Sequence, residues 1–325
     1  VRPIQFLQSP AGTVLRYGLS LAVLGVLVAQ VEWAKFGGLR GIDWSFALPA
    51  ALVAGLAYPP QAWRWQALLA AQELRPPART LHVVFWIAQF FNSFLPGGIA
   101  GDAVRLGHVW RTHPDRRAAA AACLIMDRLL GLGALFAIAA LALGLHLTLH
   151  EGGTELKTLL ATALAGLGLL TAGGWITTRT AWWRPFGARV LGAERTAALH
   201  EAMLSLGRRH GVLVAATCLS LAVWLLDFAA LWLLARGVGL EVGPFAICVA
   251  GASAYVAATL PISIGGHGVR EGALVATLVL LGFGGLDGEL ALLALAFWAV
   301  SVGWSLVGGV VWLFSLRAQR TLPPA

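Results

Sequence analysis

Hydropathy along the chain alternates between long apolar stretches and short polar breaks. Windows without a single Asp, Glu, Lys or Arg cover 44–63, 80–101, 129–150, 158–178, 242–269 and 290–316. About 20 apolar residues cross the ~30 Å hydrocarbon core of a bilayer, so this pattern predicts membrane-spanning helices. The spans fall near 14–32, 44–64, 117–149, 157–178, 210–236 and 290–316. Two further apolar segments are too short. Residues 81–95 stop at Pro96-Gly97-Gly98, and residues 245–260 stop at Pro261. As helices they reach only about 22–24 Å. Each is followed by a glycine-rich turn and a second short helix, about 101–112 and 268–283, as in a re-entrant hairpin or a broken span. Irregular backbone at that depth survives only inside protein or against a wet cavity. The expected fold is an all-α polytopic membrane protein, with about six full spans and two re-entrant hairpins.

Composition agrees with this pattern. Of 325 residues 58% are hydrophobic and 12% charged, about half the charge of an ordinary soluble domain. A soluble domain is excluded, and the 39 glycines follow no collagen-like period. Cys123, Cys218 and Cys248 lie singly in apolar runs and read as small core residues. The net charge of +8 resembles a nucleic-acid signal, but the cations sit at membrane edges, where an anionic leaflet attracts them. With Arg105, Arg128 and Arg270 of the motifs set aside, sixteen of the 23 Lys and Arg residues fall at the termini and in 64–117 and 179–209, and Lys35, Arg40, Lys157 and Arg236 fall on the other side. The positive-inside rule therefore predicts both termini in the cytoplasm. Arg16 precedes an apolar stretch with no cleavage-type region after it, which reads as an uncleaved first span. Within the polar stretch 179–210, Ala193–Arg209 predicts a short interfacial helix with Leu199, Met203 and Leu206 on one side. The expected organisation is one membrane domain over 1–325 with no soluble appendage, in repeat halves of about 1–155 and 156–325.

The most specific feature is an internal repeat. Asn92-Ser-Phe-Leu-Pro-Gly-Gly-Ile-Ala-Gly-Asp-Ala-Val-Arg105 aligns without a gap on Ala257-Ala-Thr-Leu-Pro-Ile-Ser-Ile-Gly-Gly-His-Gly-Val-Arg270, 165 residues on. Three expected spans separate the copies, so they enter from opposite sides: an inverted repeat, the arrangement that marks a transporter's central site. In each copy proline ends the first half-helix and glycines (Gly97, Gly98, Gly101; Gly265, Gly266, Gly268) let the chain turn. The second half-helix then points its positive end inward. Arg105 and Arg270 add a planar charged fork suited to phosphate or carboxylate, so the pair of turns reads as an anion site. The competing reading is structural: glycine and proline for packing, each arginine held by a carboxylate such as Asp102 or Glu271. Duplication and the cost of intramembrane charge favour function.

These motifs carry a resemblance. Asn92…Leu95-Pro96-Gly97…Gly101-Asp102…Arg105, then Asp127-Arg128-Leu-Leu-Gly131, then Leu260-Pro261-Ile-Ser263-Ile-Gly265-Gly266-His267-Gly268-Val-Arg270-Glu271-Gly272 together resemble the flippase-like transmembrane domain of bacterial lysylphosphatidylglycerol synthases and its free-standing relatives. The likeness covers nearly the whole chain. It implies a lipid-translocating membrane domain handling phospholipid, polyprenyl-glycolipid or hopanoid. In the synthases a separate soluble domain aminoacylates the headgroup. That domain's activity is not carried over.

Other polar residues complete the candidate set. Asp127 and Arg128 sit well inside a span and read as a network with Asp102, Glu271 or the arginines. Asp227 lies alone in an apolar run, as a cavity-lining or proton-carrying acid or as a buried protonated carboxyl. His267 takes the place of Asp102 in the second copy and either titrates near neutrality or is a hydrogen-bonded core histidine. Ser263 and Asn92 complete the substrate-binding candidates. His146 and His150, with Glu151, have metal-ligand spacing, but they fall at a span end where polar residues are expected, so no metal or other cofactor is assigned. The fourteen tryptophans read mostly as interface belts.

The leading expectation is a lipid flippase, not an enzyme. Arg105, Arg270 and the half-helix ends hold an anionic headgroup between the hairpins while the acyl chains stay in the bilayer. Its partners are membrane lipids and a lipid-modifying enzyme, with oligomers open and nucleic acid excluded. One rival is a membrane lipid transferase using Asp127, His267 or Glu271, against which stands the absence of D-D-x-x-D, H-E-x-x-H and G-x-S-x-G. The other is a small-solute or ion transporter built on the same repeat.

Overall fold

The computed structural model describes residues 18, 21–26, 28–29, 42–95, 100–149, 153–260, 262–284 and 287–320. Among these the chain forms twelve α-helices and no strand. The turn residues Pro96, Gly97, Gly98 and Pro261, most of the expected span 14–32, and His150 with Glu151 lie outside the described residues.

Four described helices are long and apolar enough to cross a membrane. Helix α5 (Arg117–Leu149), α6 (Thr154–Arg179), α9 (His210–Gly237) and α12 (Asp287–Arg320) match the expected spans to within four residues at each end. The remaining expected span is different. Residues 44–64 are not one helix: α1 (Trp44–Leu56) ends, Ala57 makes the junction, and α2 (Tyr58–Ala71) begins with Pro59 and Pro60 in its first turn. Proline lacks the N–H that would bond back across the junction, so a new helix starts there.

The two copies of the repeated sequence motif each follow one short helix and lead into another. Helix α3 (Ala78–Phe94) maps at the 165-residue offset onto 243–259, one residue beyond α10 (Pro244–Ala258) at either end. The second half-helices agree less well. Helix α4 (Ala100–Thr112) maps onto 265–277, whereas α11 (Val269–Leu278) starts four residues later and runs into a π-helical turn at Val279–Phe283. The delay has a backbone cause: Gly265, Gly266 and Gly268 have φ of +59°, +81° and +82°, a region that only glycine enters without cost.

The helix expected over Ala193–Arg209 forms as α8 (Ala193–Gly207), and a further short helix, α7 (Arg184–Leu191), precedes it across Gly192. Met203 and Leu206 are buried and Leu199 partly so, while Glu194, Arg195 and Glu201 are exposed. The amphipathic pattern is therefore real, but its apolar side is docked on protein, with α8 against α5, α6 and α7.

Packing separates two compact units, each drawing on both halves of the sequence. The first comprises 1–55, 83–104 and 226–325. Within it α11 packs on α10 and α12, and small residues let helices close up. A Cβ at Gly308 would collide with the backbone carbonyl of Trp86 on α3, and one at Gly55 with the Trp304 ring. Small residues at helix contacts are the usual means of tight association in membranes. Trp304 also donates its indole N–H to the Ala51 carbonyl at 2.7 Å. Asp43 starts α1 in this unit: its carboxylate accepts from the Ser45 amide at 2.9 Å and the Ser45 hydroxyl at 2.6 Å. Those two bonds hold the Asp43 carboxyl below the usual carboxylate range.

The second unit comprises 56–82 and 105–225. Here α5 is the hub, against α2, α6 and α8. Cross-links to main-chain carbonyls fix it: Trp224 donates to Gly131 at 2.7 Å, Gln72 to Ala202 at 3.1 Å and Arg116 to Gln72 at 2.9 Å.

Candidate functional site

Each unit buries one arginine of the repeated motif beside a carboxylate. In the second unit Arg105 is 4% exposed and Asp127 2%. The Arg105 Nη2 donates to Asp127 Oδ2 at 3.0 Å, while Arg64 Nε donates to Oδ1 at 2.7 Å. One carboxylate thus joins two guanidiniums. Arg64 also donates from Nη1 to the Ser220 hydroxyl at 2.8 Å, which in turn donates to the Ala216 carbonyl. Gly131 leaves room for that head group, since a Cβ there would stand 3.3 Å from Nη1. The Trp65 ring underlies Arg105, with Cζ 4.3 Å from its centroid. The expected partner of Asp127 among the arginines is therefore present. Arg64, assigned from the sequence to the membrane edge, is instead 8% exposed and belongs to the network. Arg128 is exposed, because the adjacent residue on a helix projects in another direction.

In the first unit Arg270 and Glu271 form the second pair, 6% and 0% exposed. Arg270 donates from Nε and Nη2 to the same oxygen, Oε1, at 2.8 and 2.6 Å, and from Nη1 to the Ser301 hydroxyl at 3.0 Å. The other oxygen of Glu271 accepts from the Gly268 amide at 2.6 Å, so the side chain also caps the start of α11. The Phe297 ring lies 4.3 Å from the Arg270 guanidinium carbon, and Tyr255 lies at 6.0 Å. Tyr255 donates to Asp227 at 3.3 Å, which brings that isolated acid to the edge of the same cluster.

Asn92 has a local function. Its side-chain oxygen accepts from the Gly101 amide at 2.8 Å, tying the end of α3 to the start of α4. Gly101 is required there: a Cβ would strike the Ala88 carbonyl and stand 2.7 Å from the Asn92 side chain. Asp102, on the first turn of α4, is buried. The turn of the second copy meets the leading helix of the first, since a Cβ on Gly265 would lie 2.5 Å from the Ser93 carbonyl oxygen. The Ser93 hydroxyl lies 2.6 Å from that of Ser305. Ser263 and His267 are 3% and 9% exposed, and His267 meets the Trp298 ring edge-on at 6.5 Å between centroids.

Four residues that the motifs did not single out complete these clusters: Arg64 and Ser220 in one, Ser301 and Trp298 in the other. The only advance signal was spacing on α12, where Phe297, Ser301 and Ser305 follow at i, i+4 and i+8 and share one face. Among the described residues no group of three His, Cys, Asp or Glu is placed to hold a metal.

Four apolar helices long enough to cross a membrane, among which arginine–carboxylate pairs are buried, mark an integral membrane protein. The family model described as the lysylphosphatidylglycerol synthase TM region matches residues 13–318, and the chain belongs to that family. No curated protein matches the chain.

Proposed function

We propose that this protein moves a phosphate-bearing lipid between the leaflets of a bacterial inner membrane and leaves the lipid chemically unchanged. The observation that carries this reading is the pair of buried arginines, Arg105 and Arg270, at equivalent places in two copies of one motif. Buried guanidinium in a bilayer protein is expensive and marks a substrate path. Its planar donors match phosphate oxygens two at a time. The carboxylate partners fit the same reading: a phosphate replaces Asp127 or Glu271 on part of the guanidinium, so neither cation is ever left without a counter-charge. The acyl chains remain in the bilayer. Six spans, two hairpins from opposite faces and cytoplasmic termini complete the proposal, with the lipid supplied by a separate modifying enzyme. Arginine stays protonated and cannot act as acid or base near neutrality, which favours carriage over chemistry.

The test is leaflet exchange of a labelled anionic phospholipid and a labelled polyprenyl phosphate in proteoliposomes. The wild type is expected to accelerate exchange with no change in lipid mass. Arg105→Ala and Arg270→Ala are each expected to abolish it while eluting as folded, monodisperse protein. Full activity in both alanine variants overturns the role of the arginines, and alanine variants that fail to fold overturn it in favour of a purely structural ion pair. A new lipid species overturns the non-enzymatic reading in favour of a transferase.

A further inference from the structure

The second glycine turn holds polar side chains with nothing to bond. Ser263 Oγ and Trp298 Nε1 are buried without a hydrogen-bond partner, and neither ring nitrogen of His267 has one of good geometry. The Ser93 carbonyl lies near the His267 imidazole, and a neutral ring that donates to it keeps its other nitrogen as an acceptor. A buried polar group left unpaired costs about 1–3 kcal/mol, and native proteins answer such groups with bound water or a ligand. Ser263 and His267 lie in the turn, Trp298 on α12 packs against the His267 ring, and Arg270 flanks them.

Its chemistry is that of a donor set. Indole N–H donates only and the serine hydroxyl donates readily, while the imidazole spends its one N–H on the Ser93 carbonyl. No carboxylate oxygen is open to a cation at the turn, since Glu271 commits one oxygen to Arg270 and the other to the Gly268 amide. An occupant must therefore accept hydrogen bonds, and it lies beside a guanidinium. We infer that Ser263 and Trp298, the latter packed against His267, donate to a phosphate-class oxyanion at a subsite adjoining Arg270, which takes the oxygens that the guanidinium does not reach. The inference rests on the lipid-carrying reading for its setting, and it adds Trp298 as the residue that discriminates a phosphate-bearing headgroup from an uncharged one. The phosphate could arrive on a lipid or free in solution.

The experiment follows the indole N–H resonance of Trp298, assigned by its loss in Trp298→Phe, in the full protein held in a phosphate-free maltoside detergent. Dihexanoyl phosphatidylglycerol is expected to shift it saturably, and dihexanoylglycerol is expected to leave it in place. Inorganic phosphate separates the two sources: a shift equal to the lipid's assigns the site to the free anion, and a weaker one assigns it to the headgroup. Ser263→Ala is expected to weaken the apparent affinity about fivefold. Three results overturn the inference: no shift with either phosphate probe, leaving an ordered water only; an equal shift with dihexanoylglycerol; or unchanged affinity in Ser263→Ala. Saturable binding without leaflet exchange would sink the transport reading and keep the subsite. Exchange with a silent Trp298 would do the reverse.

Discussion

Asp127 serves two cations with one carboxylate, and this makes it the most exposed point of the second unit's energetics. Both oxygens are occupied, at 2.7 and 3.0 Å, and no bulk water replaces a lost partner. Removing one member of such a buried pair costs about 3–5 kcal/mol, whereas replacing both members with apolar groups is often neutral. Asp127→Asn is therefore expected to lower the midpoint of thermal unfolding in detergent sharply. Arg64→Leu with Asp127→Leu should cost less than the two single changes added together. Strict additivity in that double-mutant cycle would mean the contact contributes nothing. The sequence allowed Asp127 an arginine partner and Arg270 its neighbour Glu271, since both carboxylates lie in the recognisable motifs. Arg64 was hidden. Position 64 borders an apolar window, where a cation ordinarily serves the interface, and its partner is 63 residues away in the chain.

At the scale of elements, charge-free windows located the long helices well because burying or lipid-exposing about 20 residues demands that composition wherever the helix packs. They were blind to proline. Pro59 and Pro60 carry no charge, so the window 44–63 passed through a helix boundary that backbone hydrogen bonding forbids it to cross. The glycine turn of the second copy was legible in type, but its length depends on the close approach to Ser93, which no local pattern reveals. Asp43 offers a test at this level. The Ser45 bonds favour its charged form, so the folded group titrates lower than in the unfolded chain. The cap is complete above the ordinary carboxylate range near pH 4 and is lost as pH falls through the lower, folded value. A carboxyl ¹³C titration should place the Asp43 midpoint below that of a model aspartate. At neutral pH, Asp43→Ala should speed amide exchange at Ser45. A midpoint at the model value would remove the cap from the account of α1.

At the scale of the whole molecule, orientation is what charge placement predicts. The arginines of 184–209 and Lys157 belong to opposite sides under the positive-inside rule. In a background lacking Cys123, Cys218 and Cys248, single cysteines at exposed Glu194 and Thr154 should react with an impermeant maleimide from opposite faces of sealed vesicles, Glu194→Cys from the cytoplasmic one. Labelling of both from one side would overturn the orientation and with it the opposed entry of the two hairpins. The repeated motif is visible as a sequence alignment. The grouping of segments into two packing units is not, because residues 83–104 join 226–325 through contacts such as Ser93 with Ser305, far apart in sequence and ordinary in type.

The bond from Gly101 to Asn92 bears on how the chain is made. Its partners are nine residues apart, so this hairpin can latch once residue 101 has been synthesised, long before its counterpart exists. Residues 265–268 instead need Ser93 as a surface to lie on, a contact of much longer loop closure. The first glycine turn is thus expected to form before the second, which packs against it. Loss of the latch in Asn92→Ala would then be felt first as a defect in membrane assembly of the C-terminal third, at a distance of some 170 residues from the change.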